Sequence, residues 1–173
     1  MPIVRIVLLL VSFCLSGLAH SALEIEISGG GAQQLPIAIV PFAQSQPGSD
    51  NLSQIIQADL KRSGLFRLLE TVGLVSRPSE ISQIKYAEWV ALQAQAVAVG
   101  KVEILPGNRY IVSFQLVDVH KQTQLAGMQY NVTATQLRGT AHKIADMIYQ
   151  KLTGESGLFS SRIAYVAKLN GRY

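Results

Sequence analysis

Continuous and alternating apolar runs along the chain predict a β-sheet. The run LPIAIVPF, from Leu35 to Phe42, is apolar throughout and bounded by prolines, which is typical of a buried central strand that begins at Pro36. The segment after it, AQSQPGSDN, is predicted to be a loop. Later runs predict a short strand and then an antiparallel meander with the turns PGN and HKQTQ: LFRLLE, AVAVGKVEIL, RYIVSFQLVDV and LAGMQYNVTA.

Apolar residues at helical spacing predict helices between and after these strands. The segment LSQIIQADLKRSG carries an apolar face with Asp59 at its edge, Asp50 or Asn51 is expected to cap its start, and Gly64 fits a left-handed cap at its end. The apolar positions of that face are Leu52, Ile55, Ile56 and Leu60.

Two more helices are predicted in the second half of the chain. YAEWVALQAQ places Tyr86, Trp89, Val90 and Gln93 on one side, and Trp89 is expected in the core. The segment TQLRGTAHKIADMIYQKLTG carries the clearest helical pattern, with Thr135 or Thr140 as its cap and Gly154 as its end. Its apolar stripe consists of Leu137, Ala141, Ile144, Ala145, Ile148 and Leu152.

The order of these elements is β, α, β, α, β, β, β, α, which predicts an α/β domain over residues 35–155. We expect a mixed β-sheet with helices packed on at least one face, preceded by a signal peptide and a flexible strand-like arm. Residues 156–173 follow as a linker, with a new strand from Ile163 to Lys168 and a hairpin-type NG turn.

Residues 1–21 have the layout of a secretory signal peptide. Arg5 precedes an apolar stretch that ends near Leu15, and the small residues Ala19 and Ser21 follow, so cleavage is expected near Ser21/Ala22. The stretch is too short for a stable membrane anchor, which needs about 20 apolar residues. The only cysteine, Cys14, lies inside this segment, so the mature chain has neither a disulfide nor a thiol nucleophile.

Residues 22–34 form the predicted arm, in which apolar and acidic residues alternate before a run of glycines. Leu23, Ile25 and Ile27 fall on one side, and Glu24 and Glu26 on the other. Such a strand cannot bury its apolar side alone. It can add to an edge of its own sheet or to the sheet of a partner by β-augmentation, and the glycines 29–31 permit either arrangement.

Few residues in the sequence point to catalysis or to a bound cofactor or metal. His120 is predicted in a hairpin turn, His142 on a helix surface, and Asp59 and Asp146 are expected to be isolated helix acids. Metal sites need several ligands at matched spacing, and no such cluster is present. The net charge of +4 is scattered along the chain, which argues against nucleic-acid binding. The pattern therefore favours a binding or scaffolding protein over an enzyme.

Several stretches together resemble the TolB family of the Tol-Pal envelope system. They are LEIEISGG, PIAIVPF, IIQADLKRSGLFRLL, YAEWVALQAQAVAVGKV, YIVSFQLVDV and ADMIYQKLTGESGLFSSRIAYV, in the family's order over nearly the whole mature chain. The resemblance implies a periplasmic adaptor with an α/β amino-terminal domain and a β-propeller. It links inner- and outer-membrane components for outer-membrane invagination during cell division and for envelope integrity.

The resemblance also implies two partners. The flexible amino terminus of the family binds the carboxy-terminal domain of TolA, and this arm corresponds here to Leu23, Glu24, Ile25, Glu26, Ile27 and Ser28. The propeller of the family binds the lipoprotein Pal. The segment RIAYV matches the first propeller strand, so we expect the propeller to be truncated at Tyr173 and its Pal site to be absent. The alternative function is a periplasmic α/β ligand-binding or regulatory module of cell-wall assembly.

Overall fold

The computed structural model describes residues 34–44, 52–71 and 76–161, which form a mixed sheet with helices on both faces. The predicted signal peptide, residues 22–33 of the predicted arm, the proposed caps Asp50 and Asn51 and the predicted strand from Ile163 lie outside the described residues. The strands are β1 (Leu35–Ile39), β2 (Ala43–Gln44), β3 (Phe66–Leu68), β4 (Ala96–Leu105), β5 (Arg109–Asp118) and β6 (Thr123–Thr133). The helices are α1 (Leu52–Arg62), α2 (Tyr86–Ala91) and α3 (Leu137–Thr153).

The strand order is β3-β1-β4-β5-β6, with β2 also paired to β4. β1 is parallel to both of its neighbours, and β4, β5 and β6 form the antiparallel meander that the sequence predicts. β1 begins one residue earlier than expected, because the Leu35 amide donates to the carbonyl of Leu65 (2.9 Å). Pro36 lacks an amide, yet its carbonyl accepts from Gln95, so the proline is tolerated inside the sheet.

One segment predicted as a loop pairs with the sheet instead. Ala43 and Gln44 lie beside Lys101 and Val102, so the chain resumes strand pairing on β4 after Pro41 interrupts it. Both residues are exposed, and a two-residue strand has no hydrophobic periodicity from which it could be recognised.

The two faces of the sheet carry different layers. On the first face, α1 and α3 bury the apolar stripes that the sequence predicts, around Phe114 and Leu116. On the second face, α2 places Trp89 over β4 and β5, where it is 1% exposed, as expected. The interpretation of Val90 and Gln93 is wrong: Val90 is exposed, and Gln93 lies beyond the helix with φ of 58°.

The ends of the long helices are only partly as predicted. Gly64 and Gly154 have φ of 75° and 83° and end α1 and α3 in the left-handed conformation that glycine favours. The start of α3 is capped neither by Thr135 nor by Thr140. Thr133 and Gln136 instead form a capping box around the short 3-10 turn that leads into α3.

Candidate functional site

The predicted arm joins the domain at the corner between β1 and β3. The Gln34 side-chain amide donates to the carbonyl of Gly64 (2.9 Å), and the next residue, Leu35, bonds to Leu65. The arm residues 23–28 themselves lie outside the described residues. Two hydrogen bonds to the loop before β3 thus fix the point from which the arm departs.

Within the described residues, the sheet has two outermost strands that differ greatly in length. β3 has three residues and lies next to the corner from which the arm departs. β6 has eleven residues and lies at the opposite edge. A groove of about 760 Å³ runs beside β3 and α1, and the exposed cations Lys61 and Arg67 line it. Docking of the arm on its own sheet and docking on a partner's sheet both remain compatible with this layout.

Asp59 is not the isolated helix acid that the sequence suggests. It is 1% exposed on α1, and its Oδ2 lies 2.5 Å from Nδ1 of His142 on α3. Arg62 lies 3.4 Å from the other carboxylate oxygen. A polar group out of contact with water needs such partners, and here they come from two different helices. The position of Asp59 at the margin of an apolar stripe was the one signal for its burial.

The geometry of the Asp59–His142 pair fits a structural role and not the activation of a nucleophile. An aspartate–histidine pair activates a nucleophile only when a hydroxyl or thiol is in hydrogen-bond reach of the imidazole. Within residues 34–44, 52–71 and 76–161, the imidazole of His142 is hydrogen-bonded to Asp59 alone. The pair therefore joins the two helices.

The other predicted polar residues also have defined roles. His120 lies in the hairpin turn as expected, where the Asp118 carboxylate accepts from the backbone amides of His120 (2.9 Å) and Lys121 (2.8 Å). Asp146 is not isolated either, because it accepts two backbone amides from the segment after α3. These carboxylates therefore shape the backbone.

A polar groove of about 610 Å³ lies on the second face of the sheet, between residues 79–82 and strands β4 to β6. Lys101 lines it and bridges Glu80 (2.9 Å) and Glu103 (3.1 Å). Its hydrogen bond to Glu80, followed by that to Glu103, raises the pKa of Lys101 above its usual value. Gln115 is likewise used internally, since it accepts the amide of Ile81 (3.1 Å). Lys101 is thus paired with two carboxylates, and the charged groups of this groove, one cation and two anions, carry a net charge of −1.

The described part of the chain contains no group of three or more His, Cys, Asp or Glu side chains that could hold a metal ion. None of its helices is long and apolar enough to cross a membrane.

A sequence model of the TolB amino-terminal domain matches residues 23–125. The chain belongs to the TolB family. The matched region begins in the arm and extends into β6, so it includes most of the strands described above.

Relatives of this TolB domain are considerably longer than the chain. The Tol-Pal system protein TolB of Methylobacillus flagellatus is 62% identical over 91% of this chain, which spans 37% of that protein. The protein of the same name from Thiobacillus denitrificans is 51% identical over 90% of this chain and 36% of its own length. The crystal structure of TolB from Acinetobacter baumannii superposes with a TM-score of 0.63, at 36% identity, over 74% of this chain and 30% of that one.

These matches confirm the family and the fold class expected from the sequence. The chain is related to Tol-Pal components and has their mixed α/β sheet. It spans little more than a third of the length of these curated relatives.

Proposed function

We propose that this TolB-family chain is a non-enzymatic periplasmic adaptor of the Tol-Pal system whose arm binds the carboxy-terminal domain of TolA. The observation that carries the proposal is that the family match begins at Leu23, the first residue of the alternating arm. The alternation gives the arm one apolar side, and the adjacent glycines let it be re-aimed. Both properties suit β-augmentation of a partner's sheet.

The attachment of the arm also supports this role. Gln34 and Leu35 are hydrogen-bonded to the loop before β3, so the base of the arm is fixed to the domain. Because its base is fixed, a short strand on a glycine tether stays close to the sheet edge of the partner once the domain lies beside that partner. In the Tol-Pal system such a link would serve outer-membrane invagination during division and envelope integrity. For Pal, the resemblance places the family's site in the propeller, and we propose none on residues 34–161.

Calorimetric titration with the TolA carboxy-terminal domain tests the proposal. Deleting residues 22–28 is expected to abolish binding. Ile25→Pro is expected to weaken it at least about tenfold, because proline removes a ladder donor and disfavours a paired strand. Glu24→Gln is the matched control: it changes a neighbouring side chain but keeps the backbone amide, so binding by pairing is retained.

The titrations test separately whether the arm is the binding site and whether TolA is the partner. Full affinity in the deletion variant would place TolA binding elsewhere on the chain. No binding by the unaltered chain would remove TolA as the partner. Thermal unfolding of each variant shows whether the domain itself is intact.

The ligand-binding alternative would use the polar groove on the second face of the sheet. Its lysine is already bridged by two carboxylates, and Gln115 accepts the amide of Ile81, so the cation that would bind an anionic ligand is already paired within the groove. We therefore favour the adaptor.

A further inference from the structure

The segment that follows α3 turns back across the outer surface of that helix. Gly154 reverses the chain, and residues 155–161, called here the exit segment, then run over α3. Asp146, in the middle of α3, accepts the amide of Phe159 with one carboxylate oxygen (2.7 Å) and that of Ser160 with the other (3.0 Å). Hydrogen bonds to a charged acceptor are roughly twice as strong as neutral ones.

An aromatic contact provides a second attachment. The ring of Phe159 meets Tyr149 of α3 edge-on at 5.8 Å, and Tyr149 in turn meets Phe66 of β3 at 6.0 Å. Such edge-to-face pairs contribute stability beyond the burial of the rings. The exit segment is therefore connected, through one side chain of α3, to the buried core residue Phe66.

The close approach of the backbone at Gly157 provides a third attachment. A Cβ atom added there would lie 2.7 Å from the Cα of Asp146, so a larger residue would push the segment off the helix. Leu158, by contrast, is 76% exposed. The segment is thus held by backbone amides, one ring and a close approach, and not by burial of its largest aliphatic side chain.

We infer that the exit segment is a rigid connector in which Asp146 fixes the place and direction where the chain beyond Ser161 leaves the domain. Its composition, ESGLFSS, is typical of a flexible linker, yet three kinds of contact hold it between Gly157 and Ser160. A turn closed by the Ser161 amide on the Leu158 carbonyl (3.2 Å) then sets the departing direction. This inference is independent of the proposed TolA binding.

Amide hydrogen exchange in the full chain tests the connector. In Asp146→Ala, the amides of Phe159 and Ser160 are expected to exchange at least about tenfold faster, because a hydrogen bond to a charged group is lost at each. Gly157→Ala should produce the same change by displacing the backbone. Asp146→Asn keeps a single carbonyl acceptor and should fall between. Asp118→Ala is the matched control, since Asp118 also accepts two backbone amides but lies in a distant hairpin.

A distance measurement then reports the direction of the departing chain. Spin labels at Lys61→Cys on α1 and Leu158→Cys, a 76% exposed position of the exit segment, with Cys14→Ser, are expected to give a narrow distance distribution in the parent and a broader one in Asp146→Ala and Gly157→Ala. A parent distribution as broad as that of the variants would overturn the inference. Unchanged exchange at both amides in both variants would also overturn it. Exchange in β1 serves as the check that each variant is folded.

Discussion

Asp59 and His142 are 83 residues apart in sequence, yet their side chains meet at 2.5 Å and join α1 to α3. Both helices pack on the same face of the sheet and share its core. Asp59 is buried, whereas His142 keeps 22% of its side chain exposed, so the pair lies at the outer margin of the contact between the helices. The Asp59–His142 pair thus fixes the position of α1 along α3.

Removal of the Asp59 carboxylate is expected to destabilise the domain. Asp59→Ala leaves the Nδ1 of His142 without its partner and is expected to lower the free energy of unfolding by about 1–3 kcal/mol in urea titrations. The double variant Asp59→Ala, His142→Ala should cost less than the sum of the single changes, because the two residues interact. Additive effects would mean that the contact contributes nothing of its own.

Gly100 in β4 is expected to tolerate no side chain. A Cβ there would lie 2.5 Å from the carbonyl oxygen of Ser113 and 2.7 Å from the ring of Phe42. Gly100→Ala should therefore lower the free energy of unfolding by about 1–3 kcal/mol, as overpacking does. Gly139 in α3 has open space around it, so Gly139→Ala should be neutral or stabilise by up to about 1 kcal/mol. Equal effects of the two changes would contradict the packing at β4.

The pKa of Lys101 is expected to fall when its carboxylate partners are removed. Glu80 and Glu103 hold this pKa above its usual value, so Glu80→Gln combined with Glu103→Gln should lower it in an NMR titration of the lysine side chain. Because the pKa of Lys101 is raised in the folded state, its carboxylate pairs stabilise the fold fully below the unfolded pKa of 10.5. This stabilisation is lost as the pH rises through the folded pKa. Glu88→Gln, at a glutamate paired with Lys85 instead, should leave the titration of Lys101 unchanged.

The start of α3 is expected to depend on Thr133. Its hydroxyl and the Gln136 side chain satisfy each other's backbone amides, so Thr133→Ala should cost about 0.5–2 kcal/mol of unfolding free energy. Thr140 donates to the carbonyl of Gln136 from within the helix and caps nothing, so Thr140→Ser, which keeps this bond, should cost less. A loss at Thr140→Ser that equals or exceeds the loss at Thr133→Ala would contradict the capping role of Thr133. Thermal or urea unfolding of the two variants provides the comparison.

Local periodicity was sufficient to predict most of the fold. In β1, β4, β5 and α3, the buried positions follow the period of the element itself. The pattern is therefore present in the local sequence of each segment. The short strand β2 could not be predicted, because its pairing depends on Lys101 and Val102, far along the chain.

The polar contacts show the limit of sequence reasoning more clearly. The partners of Asp59 and Asp146 come from another helix and from a reversed segment, so no spacing rule connects them. Their carboxylates look isolated until the chain is folded. The arm presents the opposite case: its alternation is evident in the sequence, but its residues lie outside the described structure, and its TolA-binding role stays a prediction.

The arm's point of departure and the exit segment both attach beside β3, and this has a mechanical consequence. Gln34 is bonded to the loop that precedes Phe66, and Phe159 reaches the same phenylalanine through Tyr149. A tension applied between the two ends of the described domain therefore passes through β1, β3 and α3. Because α3 also packs on the meander around Phe114 and Leu116, the sheet shares this load.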